Sequence, residues 1–93
     1  MDINQGHVKS MYHLALYFEH RHDYELMIKY YVMAINNGHV ESMYRLGDYY
    51  GSIKDYDSVI KYYLMGIDKN HAKSMSSLAH YYGEINEHQL MEK

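Results

Sequence analysis

The chain has 93 residues, a formal net charge of −3, and neither cysteine nor proline. Its length allows one small domain, the lack of cysteine excludes disulfides and a thiol nucleophile, and the acidic balance disfavours nucleic acid as a partner. It contains no apolar run near the ~20 residues that a membrane-spanning helix needs and no signal-peptide pattern, so we expect a soluble, intracellular protein without a membrane partner.

Apolar residues at helical spacing, such as the offsets of 0, 3, 4 and 7 from Met43, predict an all-α protein. Asp23 and Asp55 stand where the second and fourth helices begin and can accept hydrogen bonds from their first turns. Gly38 and Asn70 follow the same two helices and tolerate the left-handed conformation that ends many helices. In chain order, the predicted helices are Val8–Glu19, Asp23–Asn36, Val40–Tyr50, Asp55–Lys69, Ala72–Tyr82 and Glu87–Lys93.

The sequence repeats with a period of 32 residues, because the segment Gly6–Leu14 aligns with Gly38–Leu46 and again with Asn70–Leu78. Such a period is typical of stacked arrays, in which each repeat buries an apolar face against its neighbours. We therefore predict an alpha-alpha superhelix, or solenoid, of about three helical hairpins in a single domain. The repeats are residues 6–37, 38–69 and the partial repeat 70–93, with residues 1–5 as the remnant of a preceding helix.

Both ends of the chain lack a distinct capping helix of the kind that solenoids normally need, since a bare end exposes an apolar face. We expect either that the chain belongs to a longer array or that it covers residues 1–6 and 87–93 by self-association.

The segment Met33–Gly47 resembles the junction between consecutive hairpins of Sel-one-like repeats, which read as two alanines, two polar residues, a glycine, and then Ala and Leu-Gly at fixed offsets. The segment Asp55–Tyr63 resembles the second helix of a tetratricopeptide repeat, and the short linker Gly51–Lys54 is also similar to that family. The tyrosine-rich and methionine-rich repeats resemble arrays encoded by giant DNA viruses. This resemblance covers nearly the whole chain. It implies a right-handed superhelix whose first helices line a concave face, a role as a scaffold or adaptor, and no catalytic residue.

Comparison of the three copies separates constant positions from variable ones. The positions that keep their apolar character, which we predict to form the core, are Met11/Met43/Met75, Leu14/Leu46/Leu78, Tyr17/Tyr49/Tyr81 and Phe18/Tyr50/Tyr82. The outward face of each first helix varies instead, which is compatible with a tuned binding surface and equally with drift on a solvated face. The predicted partner-binding residues are Lys9, Tyr12, His13, Leu16, Glu41, Tyr44, Arg45, Asp48, Lys73, Ser76 and His80. Their tyrosines and leucine would supply apolar contact, and their charged residues would set the polarity of the partner.

The histidines do not predict a metal site. His7, His39 and His71 recur once per repeat, and packed helices about 8–10 Å apart keep equivalent atoms too far from one another for zinc–nitrogen bonds of about 2.0–2.1 Å. We expect these histidines to complete the turn at the start of each first helix. The loop Glu19–Asp23 holds two histidines and two carboxylates but also Arg21, which would repel a cation. Because no nucleophile–base motif or phosphate-binding glycine loop is present, we expect neither an enzyme nor a cofactor.

The sequence therefore predicts a protein–protein interaction module that binds a peptide or protein segment along the concave face. The alternative is a self-assembling structural repeat protein, a homo-oligomer formed end to end or by exchange of helices, without a distinct ligand.

Overall fold

A computed structural model describes the backbone of residues 3–91 and the side chains of residues 7–84 and 86. This part of the chain is all-helical and contains no strand, which confirms the predicted all-α class. Its five helices are α1 (Ile3–His20), α2 (Tyr24–Asn36), α3 (Val40–Ser52), α4 (Tyr56–Asp68) and α5 (Ala72–Met91). The chain forms two compact units, Met1–Ser42 and Met43–Lys93.

Helices α2 and α4 begin at capping aspartates, as the sequence predicts. The carboxylate of Asp23 accepts a hydrogen bond from the backbone N–H of Leu26 at 3.3 Å, and that of Asp55 accepts one from Ser58 at 3.4 Å. Each bond satisfies one of the amide groups that the first helical turn leaves without an intrahelical acceptor.

The same two helices end at left-handed residues. Gly38 has a φ of 84° and Asn70 a φ of 63°, and these are the two residue types that adopt this region most readily. Their backbone N–H groups donate to the carbonyls of Ile35 and Ile67, in both cases at 2.8 Å. The left-handed conformation predicted after α2 and α4 is confirmed.

Helix α1 differs from the prediction because it runs without a break through Gly6, where we expected a new helix to start at Val8. One glycine inside a helix costs only about 1 kcal/mol, whereas nucleating a separate helix is unfavourable. The first two residues of the expected remnant at 1–5 lie outside the described residues.

Helix α5 also continues through the expected loop after Gly83, and the predicted separate helix at 87–93 is wrong over residues 87–91. Residues 92–93 lie outside the described part. Asp23 and Asp55 cap the two helices that do begin after such a loop, and Glu87 stands at the aligned position. Glutamate is not among the preferred N-cap residues, so the chain has no local signal there to start a new helix.

The core of the first unit lies between α1 and α2. The rings of Phe18 and Tyr30 stack with 5.7 Å between their centroids and 10° between their planes. The hydroxyl of Tyr31 is buried and donates to the carboxylate of Glu19 at 2.6 Å, so its polar atom is satisfied. The buried apolar residues of this unit are Val8, Ala15, Met27, Tyr31, Ala34 and Ile35.

In the second unit, α4 packs against both α3 and α5. Val59 and Tyr63 of α4 form a buried cluster with Leu78 of α5. On the α3 side, the Tyr63 ring lies 2.7 Å from the point that a Cβ atom on Gly47 would occupy. The missing side chain of this glycine therefore makes room for the aromatic ring.

Four residues that we expected in the core are exposed instead. Leu14 and Tyr17 of α1 are 41% and 50% exposed, and Met75 and Tyr82 of α5 are 46% and 43% exposed. At the positions aligned with Leu14, Leu46 and Leu78 are buried. At the position aligned with Met75, Met43 is buried. The apolar pattern is thus the same in each copy. On α1 and α5, however, these four side chains are left exposed by the described part of the chain.

Candidate functional site

Two of the predicted binding residues, Tyr12 and Tyr44, make ring contacts within their units. The Tyr12 ring is 6.2 Å from Tyr31 and 4.6 Å from His39. The Tyr44 ring is correspondingly 6.0 Å from Tyr63 and 5.4 Å from His71. These side chains are half-buried and hold each first helix to the structure that follows it, so they offer little of the outward apolar contact that we expected.

The other predicted residues remain accessible to different degrees. Leu16, Glu41 and Arg45 are half-buried. Those with exposed side chains are Lys9, His13, Asp48, Lys73, Ser76 and His80. The exposed group is polar throughout, so the candidate surface is charged and hydrogen-bonding in character rather than aromatic.

In the first unit, Lys9 lies at an open cleft between α1 and the turn that follows α2. The cleft is lined by Val8, Lys9, Asn37, Gly38 and His39. The Asn37 side-chain amide donates to the carbonyl of Met33 at 2.9 Å, which fixes its orientation. Lys9 is the one cation among the lining residues, so this cleft would favour a partner group that carries negative charge.

In the second unit, Asp48 is bound to the buried core. It accepts a hydrogen bond from the Tyr63 hydroxyl at 3.0 Å. Burial and the neighbouring Asp48 carboxylate raise the pKa of Tyr63 strongly, and burial together with Asp48 and Glu84 raises the pKa of Tyr81. Both phenols therefore stay protonated at neutral pH and can donate toward the carboxylates.

His80 belongs to a polar cluster with Glu84 and Lys54 that the sequence analysis missed. Its Nε2 atom lies 3.2 Å from Glu84, and the Nζ of Lys54 lies 3.7 Å from the other oxygen of the same carboxylate. The spacing of four residues between His80 and Glu84 on one helix was the available sequence signal. Lys54 could not be found in this way because its position depends on the loop before α4.

The repeated histidines have the structural role that we predicted at the start of α3 and α5. The Nδ1 atom of His39 accepts the backbone N–H of Ser42 at 3.3 Å and lies 2.7 Å from the Ser42 hydroxyl. His71 and Ser74 repeat this arrangement at 3.3 and 2.8 Å. Because a backbone N–H can only donate, Nδ1 is unprotonated in both rings, and each imidazole acts as a neutral helix cap.

The loop between α1 and α2 places its polar groups in local hydrogen bonds. Asp23 caps α2, Glu19 accepts the Tyr31 hydroxyl, and the Nδ1 atom of His22 lies 2.7 Å from the Tyr24 hydroxyl. Over the described residues, no three His, Asp or Glu side chains are grouped in a way that could hold a metal ion.

Comparison with protein-family models, curated proteins and solved structures finds no match to this chain. None of the described helices is both long enough and apolar enough to span a bilayer.

Proposed function

We propose that this chain is a helical-repeat module of the Sel-one-like and tetratricopeptide-like kind, an alpha-alpha superhelix that binds a peptide or protein segment. The support for the repeat class is the recurrence of contacts 32 residues apart. Phe18 on Tyr30 and Tyr50 on Tyr62 both stack at 5.7 Å, with interplanar angles of 10° and 5°. The capping aspartates and the His–Ser pairs described above recur with the same period.

The observation that carries the binding function is the contrast between exposed and buried positions of the first helices. The buried serine at the start of α3 and α5 is the same residue in both copies, at Ser42 and Ser74. The variable positions change their charge or polarity from copy to copy: Lys9/Glu41/Lys73, His13/Arg45/Ser77 and Leu16/Asp48/His80. A change from copy to copy at positions that keep access to solvent is what a surface tuned to a partner would show.

The second unit offers the best-defined part of this surface. Asp48 and Glu84 are held by hydrogen bonds or ion pairs, and Lys73 and His80 are exposed on the same helix as Glu84. Carboxylates held in position beside exposed basic side chains favour a polar segment that carries complementary charges, because such charges set specificity and register.

A peptide selection tests this proposal. Peptides selected by phage display against the folded chain are measured by calorimetry, and we expect Lys73→Glu to weaken binding of a selected peptide by about tenfold. Lys61→Glu makes the same charge change on the exposed side of α4 and should leave the affinity within about twofold. Failure to select any peptide, or equal affinity in both variants, would contradict the proposal.

A second candidate function, self-assembly, is supported by the exposure of Leu14 and Tyr17 on α1. Two large apolar side chains one turn apart form a surface that a second copy of the chain could cover.

A further inference from the structure

Few of the 13 tyrosines of the chain are exposed. All of them lie among the residues whose side chains are described, and the exposed ones are Tyr17, Tyr24 and Tyr82. Tyr17 and Tyr82 lie within α1 and α5, with helical residues on both sides and no charged residue next to them in the sequence. Tyr24 is the first residue of α2 and directly follows a loop. Because helix ends open at a low free energy, Tyr24 is the exposed tyrosine that can most easily leave its helix.

The chain around Tyr24 is accessible on both sides. Residues 20–25 are all exposed, and Asp23 and Glu25 place one carboxylate directly before the tyrosine and one directly after it. The next buried side chain along α2 is that of Met27. An enzyme can therefore reach the Tyr24 hydroxyl and both flanking carboxylates once the first turn of α2 opens.

The hydroxyl of Tyr24 lies beside a side chain that suits a phosphate. The Nδ1 atom of His22 is 2.7 Å from the hydroxyl oxygen, and the two rings meet edge to face with 5.8 Å between their centroids. Both residues are exposed, so water can replace this hydrogen bond when the hydroxyl reacts. An imidazolium of His22 would donate a charge-assisted hydrogen bond to a phosphate on Tyr24. This attraction would oppose the repulsion from the two neighbouring carboxylates.

The second copy of the repeat contains an internal control, Tyr56. It has the aligned place, as the first residue of α4, and it lies between Asp55 and Asp57. Its side chain, however, is half-buried and packs against the cluster of Val59, Tyr63 and Leu78. The two tyrosines thus share their flanking charges and their place in a helix, and they differ in how accessible they are.

We propose that Tyr24 is a phosphorylation site for a protein tyrosine kinase with a basic substrate groove, which complements the two flanking carboxylates. The Tyr24 oxygen forms a bond to the γ-phosphorus of ATP, the bond from that phosphorus to the leaving ADP breaks, and the hydroxyl proton passes to the carboxylate base of the kinase. The product gains a charge of about −1.5 to −2 at neutral pH. The site includes none of the predicted partner-binding residues and does not rest on the proposed function.

Phosphorylation of the whole folded chain tests this proposal. The chain is incubated with ATP and a purified tyrosine kinase that favours acidic flanking residues, and mass spectrometry locates and quantifies the modified tyrosines over time. We expect Tyr24 to react at least about tenfold faster than Tyr56 or any other tyrosine. Tyr24→Phe should lower the total phosphate incorporated by about tenfold, and Tyr56→Phe should leave it within about twofold of the parent. Circular dichroism should show the parent spectrum in both variants, because each keeps its aromatic ring.

Two peptides separate the effect of the flanking charges from that of exposure. Peptides of residues 19–29 and 51–61 carry the two tyrosines without the fold, so they should react at rates within about threefold of each other. In the whole chain, Glu25→Lys reverses one flanking charge and should slow the reaction of Tyr24 by about tenfold. Asp57→Lys makes the same change at the aligned position and should leave the rate at Tyr24 within about twofold.

Four results would overturn the proposal. In the first, the peptide of residues 19–29 reacts while Tyr24 of the folded chain does not, and the hydroxyl is then inaccessible in the fold. In the second, Tyr56 reacts in the chain as fast as Tyr24, and exposure does not select the site. In the third, neither the peptide nor the chain is modified. In the fourth, Glu25→Lys has no more effect on Tyr24 than Asp57→Lys has, and the flanking charge does not recruit the kinase.

Discussion

At the scale of single residues, His39 before α3 couples the fold to pH. Its ring accepts a backbone N–H through Nδ1, which a protonated imidazolium cannot do. A protonated ring would also place a positive charge at the positive end of a helix. Burial lowers the pKa of His39, the nearby Glu41 opposes this effect, and His13 adds to it. Lys9, in the same cleft, is a further positive charge near the ring.

The folded protein should therefore lose stability as the pH falls. With the pKa of His39 lower in the folded chain than its ordinary value of 6.5, the unfolded chain binds more protons below that pH. We expect the free energy of unfolding, measured by urea titration, to decrease between pH 7.5 and 5.5. In His39→Asn, which keeps a good capping side chain that does not titrate, this decrease should be smaller. An equal pH dependence in both proteins would contradict the role of His39.

Two glycines with different surroundings, Gly47 and Gly83, give opposite expectations. Gly47→Ala places a Cβ 2.7 Å from the Tyr63 ring, and such overpacking costs about 1–3 kcal/mol. Gly83→Ala meets no neighbour and should stabilise the helix by about 0.5–1 kcal/mol. Thermal unfolding of the two variants checks both signs, and a gain of stability in Gly47→Ala would show that the ring can move aside.

At the scale of elements, α4 is the helix on which the second unit depends. It contributes Val59 and Tyr63 to the buried cluster and contacts α3 and α5 together. Its start is defined by Asp55, which accepts bonds from both the backbone N–H and the hydroxyl of Ser58. Weakening this helix end should therefore destabilise the whole second unit.

We expect Asp55→Ala to lower the free energy of unfolding by about 1 kcal/mol, the usual cost of losing an N-cap. For a domain of this size, that corresponds to a decrease of about 4–8 °C in melting temperature. Asp57→Ala removes a carboxylate from the first turn without removing the cap, so its cost should be the smaller one, about 0.3–1 kcal/mol. If both variants lose the same free energy of unfolding, the negative charge near the start of α4 accounts for the effect, and the hydrogen bonds of the cap do not.

Helix α5 shows where prediction from the sequence reaches its limit. The apolar pattern and Gly83 suggest a hairpin like the one at Gly51, but the local signal that starts α4 is the short carboxylate of Asp55, and Glu87 replaces it. An alignment of hydrophobic residues does not register this difference of one methylene group. If the N-cap preference had been applied to residue 87 as strictly as the apolar pattern was applied to α5, the long helix would have been predicted.

At the scale of the whole molecule, the 32-residue period predicts the helix class, the capping residues and the left-handed turns, because these depend on local chemistry that each copy carries. It does not predict which equivalent residues are exposed. Leu14 and Leu46 have the same place in their copies, yet one is 41% exposed and the other fully buried. Exposure depends on the neighbouring helix, which the sequence of one copy cannot specify. For the same reason, it does not predict that Tyr12 and Tyr44 are half-buried beside Tyr31 and Tyr63.

The exposed side of α1 provides a test of self-association. If Leu14 and Tyr17 are covered by a second copy, the mass measured by light scattering after size exclusion should rise with concentration. Leu14→Lys should then suppress this rise, because a charged side chain opposes burial at the contact. Ile53→Lys is the matched control, since Ile53 is also a large exposed apolar residue, with 54% exposure. A chain that stays monomeric at high concentration would exclude this candidate function.

The close contact between Gly47 and Tyr63 limits which helices of the chain can replace one another. Tyr63 donates to Asp48, whereas the equivalent Tyr31 donates to Glu19. The residue of the first copy that aligns with Gly47 is Ala15. The two hairpins therefore join their helices through different acceptor residues. Recombination that exchanged residues 38–51 for 70–83 would bring in Ala79 and His80, removing both the space and the acceptor that Tyr63 uses. We therefore expect that exchange of a whole hairpin would preserve this contact and that exchange of one helix alone would disrupt it.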